Sequence, residues 1–316
     1  SFAPLLVGHP LIRRVHCLAT RVWRRQGYGQ SLRAGWEIVR ALRAERYDVA
    51  LDLQGNSKSG LFTRLCGAPL RYGLARDGVR EWPNLLATNR RVPLAEEDFH
   101  VTERSLAVAR AAFPGGSERS LAGPLPVVPA AARAVAQHLL ESETPETPLV
   151  VLHYGTTWTT KLWPLDRWCN LAAALQRRGV RPVLTWGNDA ELAAARQILE
   201  ACRGQAVVWP RGTLPELVAL LARADLVVGG DTGPVHIAAA VGTPTVSLYR
   251  VTDARRNGPR GDRHIRLQAP LDCSPCLRKA CDRDAECGGS IAMAEVLRAV
   301  ERLLPLEPAG PSPEML

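Results

Sequence analysis

VVGGDTGPVHIAAAVGTPTVSLY, residues Val227–Tyr249, reads as a buried strand, a turn of glycines around an acid, a proline-started helix, a glycine stop and a second strand. A helix N-terminus leaves backbone N–H groups unpaired and carries partial positive charge, so it attracts anions, phosphate above all. Pro234 suits the start of the helix, Thr232 can cap it, and Gly229, Gly230 and Gly233 let the backbone come close to a ligand. An ordinary βα turn has the same features. His236 tips the reading toward a site, because an imidazole in the first helical turn faces the same space as the exposed N–H groups.

Outward from this stretch, the C-terminal half alternates strand and helix. PLVVLHYG (148–155) is a continuous apolar run, as in a parallel strand covered on both faces. LDRWCNLAAALQRRG gives a helix stopped by Gly179, and RPVLTWG the next strand; NDAELAAARQILEAC gives a helix capped by Asn188 and QAVVWP a strand; TLPELVALLARA is a helix capped by Thr213. This pattern predicts an α/β doubly wound domain with right-handed crossovers. The N-terminal half has the same alphabet less regularly: a basic helix near Leu32–Arg46, the strand YDVALDLQG (47–55), the helix SKSGLFTRLCG and the short strand RYGLA. Residues 123–148, rich in Pro, Ala and Glu, read as an interdomain connection around a helix near Arg133–Leu140. The expected domains are 1–140 and 141–305, with a disordered tail at 306–316 and a ligand cleft between the carboxyl ends of the two sets of strands. A doubly wound domain normally opens on a strand and a βα turn, whereas this chain starts in an irregular basic segment. The first βα unit, roughly 30 to 40 residues, is therefore expected to be missing from it.

Composition narrows the partners. The 316 residues are 46% hydrophobic, enough for two cores, and no 18-residue apolar run exists to span a membrane. The apolar patch near the start precedes its basic residues, the reverse of a signal peptide, so the sequence reads as cytoplasmic. The net charge of +9, spread along the chain, suits an anionic partner. Aromatics at 5% and the lack of any helix-turn-helix, zinc-finger or RNP-like pattern argue against nucleic acid. Cys17, Cys66, Cys169 and Cys202 sit in apolar contexts as small core residues, but Cys273, Cys276, Cys281 and Cys287 crowd together as C-x2-C-x4-C-x5-C. Four thiolates could hold a structural zinc or an iron–sulfur cluster, although the spacing lacks paired knuckles.

A second candidate site is HYGTTWTTKLWPLDRW, where Thr156, Thr157 and Lys161 follow the strand ending near residue 154. Hydroxyls and an ammonium at a strand's carboxyl end offer a diphosphate donors and a counter-charge, while a solvated lysine beside capping threonines is the structural alternative. Glu191, shortly after LTWG, is placed to accept hydrogen bonds from ribose hydroxyls, or simply to sit in a helix's first turn. No GxGxxG or Walker A pattern follows any strand, against the usual NAD and NTPase readings.

Together these stretches resemble glycosyltransferase family 9, the ADP-heptose:lipopolysaccharide heptosyltransferases. DTGPVHIAAAVGTPTVSLY with TDARRNGPRG, TTWTTKLWP, HPLIRRVHCLATRVWRR, YDVALDLQGNSKSGLFTRL, RYGLARDGVREWP and FHVTERS are all similar to that family. The resemblance implies a GT-B fold: two Rossmann-like domains facing across a cleft, the N-terminal one incomplete. It implies transfer of L-glycero-D-manno-heptose from ADP-heptose to the Kdo of the lipopolysaccharide inner core, by inverting displacement, with no cofactor required for catalysis. Thr156, Thr157 and Lys161 would hold the diphosphate, Glu191 the ribose, and Asp231, Thr232, Gly233 and His236 the sugar and phosphates. Arg21, Arg24, Arg25, Gln54, Lys58, Arg80 and His100 match the acceptor side, where Kdo carboxylates and lipid A phosphates must be neutralised; Lys58 and His100 equally suit a solvated surface. The acceptor, Kdo-lipid A, implies a peripheral place at the inner face of the cytoplasmic membrane. The family's base is an aspartate in the first βα turn, in a pattern like SxGD that this sequence lacks before Leu32, and no other acid is assigned to the role. A family 9 transferase with another sugar nucleotide or the second heptose position, a silent ADP-sugar-binding remnant and a basic nucleic-acid binder are the alternatives.

Overall fold

A computed structural model describes residues 2–18, 27–115, 125–141 and 147–306; all but the first residue of the expected tail lies outside the described residues. It divides into two compact units, one spanning Arg13–Arg119 and the other joining Phe2–Ile12 to Ser120–Leu316. This division comes earlier in the chain than the 140/141 boundary expected from composition. The reason lies in the helix Pro129–Glu141, which is no linker element. Its Ala131 and Val135, one helical turn apart, are buried in a cluster with Val218 and Leu221 of the C-terminal unit, and Leu5 packs on the same cluster.

The C-terminal unit holds six parallel strands: β4 (Leu149–His153), β5 (Arg181–Leu184), β6 (Val207–Val208), β7 (Leu226–Gly230), β8 (Thr245–Tyr249) and β9 (His264–Gln268). They lie in the order β6-β5-β4-β7-β8-β9. The chain winds one way from β4 to β6, then returns to place β7 against the other side of β4, with Val150 opposite Leu226. All residues of β7 and β8 are buried, which accounts for the apolar spelling of β7, while β8 also buries Thr245 and Ser247, whose hydroxyls face His264 and Ile265 O. Helices cover both faces, with Trp168, Leu171 and Leu175 from Leu165–Gln176 in one core layer and Leu220 and Leu221 from Leu214–Arg223 in the other. Each such large side chain, fully buried, contributes about 1.5–3 kcal/mol. Cys66 and Cys202 are buried as expected of small core residues, whereas Cys17 is exposed. Asn188 caps Asp189–Ala201 by accepting from Glu191 N, and Thr213 with Glu216 forms a capping box on Leu214–Arg223, both at the positions the sequence indicates.

The N-terminal unit carries a smaller parallel sheet in the order β1 (Val49–Asp52), β2 (Leu70–Leu74), β3 (Arg90–Val92). The helix Tyr28–Ala44 starts four residues before the expected one, and Ser57–Leu65 connects β1 to β2. Its N-cap Asn56 accepts from Ser59 N at 2.8 Å. Among the described residues no helix is long and apolar enough to cross a membrane.

Candidate functional site

In a doubly wound sheet the crevice lies outside the strand carboxyl ends where the winding reverses, here between β4 and β7. The two stretches singled out in the sequence leave these strands: Gly155–Lys161 follows β4, and Asp231–His236 follows β7. The structure joins them directly. Lys161 Nζ donates to Asp231 Oδ2 at 2.7 Å, and His236 Nε2 lies 3.5 Å from Asp231 Oδ1. Thr252, in the loop after β8, donates its Oγ1 to Asp231 Oδ2 at 2.8 Å. Burial by itself would raise the Asp231 carboxyl. Hydrogen bonds from His236, Lys161 and Thr252, with the Lys161 charge, outweigh it and hold the group well below the usual carboxylate range.

Thr232 is the N-cap residue of Gly233–Ala240, but its side chain makes no capping bond; its Oγ1 lies 3.4 Å from Gly230 O. The expected cap is thus absent, and the N–H groups of the first turn lack that side-chain partner. Pro234 stands within the first two helical positions, and His236 is half-exposed.

Glu191 joins the same end of the sheet from the first turn of the helix Asp189–Ala201, which follows β5. Its Oε2 accepts from Gly187 N at 2.7 Å, and Tyr154 Oη donates to its backbone oxygen at 2.7 Å. The carboxylate lies against Gly155, where a Cβ would come within 2.3 Å of it, so a larger residue there would displace the Glu191 carboxylate. Thr156 and Thr157 stand between them and Lys161, partly and fully exposed. Next to these groups His153, at the end of β4, is pushed down to about 4 by burial and places Nδ1 3.0 Å from Thr185 Oγ1. Sequence reading missed Thr252, Tyr154 and His153; the first belongs to the stretch after SLY, but only the fold brings it to Asp231.

In the N-terminal unit, the turn after β1 brings Gln54 and Lys58 to one end of the sheet. Arg80 N donates to Gly55 O at 2.9 Å, setting Arg80 beside that turn. Gln54, Lys58 and Arg80 stand at or near the surface. Glu81 accepts from Ser57 N at 2.8 Å and from Ser57 Oγ, bonds that lower its pKa. His100 has a structural role, since its Nδ1 accepts from Thr102 N at 3.1 Å as the N-cap of Val101–Ala112. Arg21, Arg24 and Arg25 lie outside the described residues.

The four clustered cysteines are unbridged and line one small cavity with Arg250 and Arg283. Among the described residues no group of three or more His, Cys, Asp or Glu side chains is placed to hold a metal ion. The expected zinc or iron–sulfur ligand set therefore does not form. Two guanidiniums stand at this cavity: Arg250, donating to Asp284 Oδ1 at 2.8 Å, and Arg283, paired with Glu286 at 2.7 Å.

Two parallel α/β units, one of them with a helix start, a lysine, threonine hydroxyls and an acid gathered at its switch point, have the layout of the GT-B class of glycosyltransferases. The chain belongs to glycosyltransferase family 9 (heptosyltransferase), which matches residues 36–285. It is 34% identical to the lipopolysaccharide heptosyltransferase 1 of Pseudomonas aeruginosa over 89% of this chain and 76% of that protein. It is 31% identical to the protein of that name from Escherichia coli, over 86% and 82%. Among solved structures, the E. coli heptosyltransferase WaaC with ADP superposes with a TM-score of 0.75 at 27% identity, covering 96% of this chain and 87% of that chain.

Proposed function

We propose that the chain transfers a heptose from ADP-heptose to the Kdo of the lipopolysaccharide inner core, working peripherally at the inner face of the cytoplasmic membrane. The observation that carries the donor half is the Lys161–Asp231 pair at the β4/β7 switch point, braced by Thr252 and His236 and flanked by the hydroxyls of Thr156 and Thr157. Relatives with the same family assignment carry the name lipopolysaccharide heptosyltransferase 1, and one solved neighbour holds ADP-2-deoxy-2-fluoro heptose.

On this reading Thr156, Thr157 and Lys161 hold the diphosphate, and Glu191 accepts from the ribose hydroxyls. Asp231 meets Lys161 directly, so it aims the ammonium rather than facing phosphate with its own negative charge; Thr232, Gly233 and His236 line the helix start beside it. The acceptor hydroxyl attacks the anomeric carbon as the bond from that carbon to the β-phosphate oxygen breaks; the electron pair leaves on ADP, and the hydroxyl proton passes to a general base, a role assigned to none of the described residues. Lys161 and the N-terminus of Gly233–Ala240 stabilise that growing charge. Gln54, Lys58 and Arg80, with Arg21, Arg24 and Arg25, meet the anionic acceptor. His100 is given no such part, since its Nδ1 caps a helix.

Calorimetry with ADP-heptose, ADP-glucose and UDP-GlcNAc, paired with heptose transfer to Kdo-lipid A, tests the reading. Binding restricted to the ADP sugars and lost in Lys161→Ala supports the donor site, and transfer supports the reaction. Absence of binding by all three overturns the donor site, and binding without transfer leaves an ADP-sugar-binding protein.

A further inference from the structure

The segment from Cys273 to Asp284 plays no part in the reading above, yet it is fastened to the donor side of the sheet at several points. Thr160, only 1% exposed, donates its Oγ1 to Arg278 O at 2.8 Å. Arg250, also buried, donates to Leu162 O and Asp284 Oδ1, tying the end of the Lys161 turn to the end of the segment. Cys276 N and Leu277 N both donate to Val251 O, at 3.2 and 2.8 Å. Leu277 adopts φ 57°, the left-handed region that a branched side chain takes only under constraint from its surroundings. Immediately after this turn, Lys279 Nζ lies 5.0 Å from the centroid of the Trp158 ring. Lys161 Nζ lies 5.0 Å from the same centroid. One indole thus organises two ammoniums, which stand within twice that distance of each other.

Charge decides what the second ammonium is for. Lys161 is paired with Asp231 at 2.7 Å, so the pair together is close to neutral and offers a diphosphate geometry but little net charge. Lys279 is exposed and has no carboxylate partner among the described residues, so its charge is uncompensated. An indole face attracts a cation without neutralising it, which leaves all of that ammonium's donors available to an anion.

We propose that Lys279 is a second cation for the diphosphate of the nucleotide donor, carried to the site by the cysteine-bearing segment, and that it stabilises the departing nucleoside diphosphate. The proposal rests on the donor site assigned to Lys161. Calorimetry of ADP, AMP and adenosine with the wild-type chain, Lys279→Gln, Lys279→Arg and Lys161→Ala tests both readings separately. Lys279→Gln should weaken ADP binding about tenfold, the scale of one charge-assisted hydrogen bond, with a shallower salt dependence and unchanged adenosine affinity; Lys279→Arg should restore most of the loss. A structural role for the residue would not separate ADP from adenosine. If Lys161→Ala weakens ADP binding and Lys279→Gln leaves it at the wild-type value, the proposal is overturned and the donor site stands. If the folded wild-type chain binds no ADP, the donor site itself fails, and the proposal fails with it.

Discussion

Two aspartates end parallel strands in this chain, Asp52 at the close of β1 and Asp231 just past β7, and they are used in opposite ways. Asp52 is 2% exposed and turned inward. Gln54 N and Gly55 N donate to its Oδ1 at 3.0 Å, Ser59 Oγ reaches both oxygens at 2.8 Å, and Asn84 Nδ2 donates to Oδ2 at 2.6 Å. All these donors belong to the architecture of the turn, so Asp52 shapes the loop that displays Gln54 and Lys58 and has no capacity left for chemistry. Asp231 takes its bonds from Lys161, Thr252 and His236, two of which can also face a ligand. The same position in the fold thus yields a scaffold in one unit and a charge-aiming device in the other, according to whether the donors are all neutral, as on Asp52, or include an ammonium, as on Asp231.

The sharpest break of this contrast is Lys161→Ala, predicted to lower turnover by about two to three orders of magnitude, as when a donor to developing negative charge is removed. Steady-state transfer assays measure it; a loss confined to KM would instead assign Lys161 to ground-state binding. Asp52→Ala should act on the other side, destabilising the chain by about 4 kcal/mol through its orphaned buried donors while ADP affinity survives in the folded fraction. Urea titration alongside calorimetry separates these, and an Asp52→Ala chain of full stability that fails in transfer would make Asp52 a reacting group. His153 sharpens the comparison through pH. Its folded value of about 4 lies below the ordinary 6.5 because burial favours the neutral ring. Its contribution is therefore complete above pH 6.5 and declines as pH falls toward 4, by at most about 3 kcal/mol. Asp231 is depressed as well, but its contribution erodes only below the ordinary aspartate value near 3.8, so the two windows do not overlap. Stability curves of wild type and His153→Gln between pH 4 and 7 should differ in slope; equal slopes would place the titration elsewhere.

The sequence made one of these regions far easier to read than the other, for physical reasons. Strands buried on both faces, such as Leu226–Gly230, must spell apolar runs, and caps such as Asn188 and Thr213 act within three residues, so both leave local traces. Arg90–Val92 and His264–Gln268 are short or half-exposed strands with mixed spelling, and they leave none. Pro and Glu around residues 123–148 spell a linker, whereas only the buried Ala131 and Val135 reveal where the intervening helix packs. At the site, Lys161, Asp231 and His236 were legible from strand-end position. Arg250, Thr252 and the Trp158 platform act across 20 to 120 residues of chain through contacts that no local pattern records.

Thr252 offers the finest test. It is 5% exposed, its carbonyl accepts from Gln268 Nε2 at 3.1 Å, and its hydroxyl is the one uncharged donor on Asp231 Oδ2 among the described residues. Thr252→Val keeps the shape and deletes that bond, leaving Lys161 as the remaining partner of the same oxygen. If Asp231 serves to aim the ammonium, the loss is small: about 1 kcal/mol of stability and a severalfold rise in KM for the donor, with Thr252→Ser restoring both. The Asp231 carboxyl should also titrate nearer its ordinary value, since a hydrogen bond to its charged form is gone. A Thr252→Val chain as impaired in turnover as Lys161→Ala would mean that the Asp231 carboxylate itself meets the donor, and its likeness to a scaffold such as Asp52 would then end at the strand it follows.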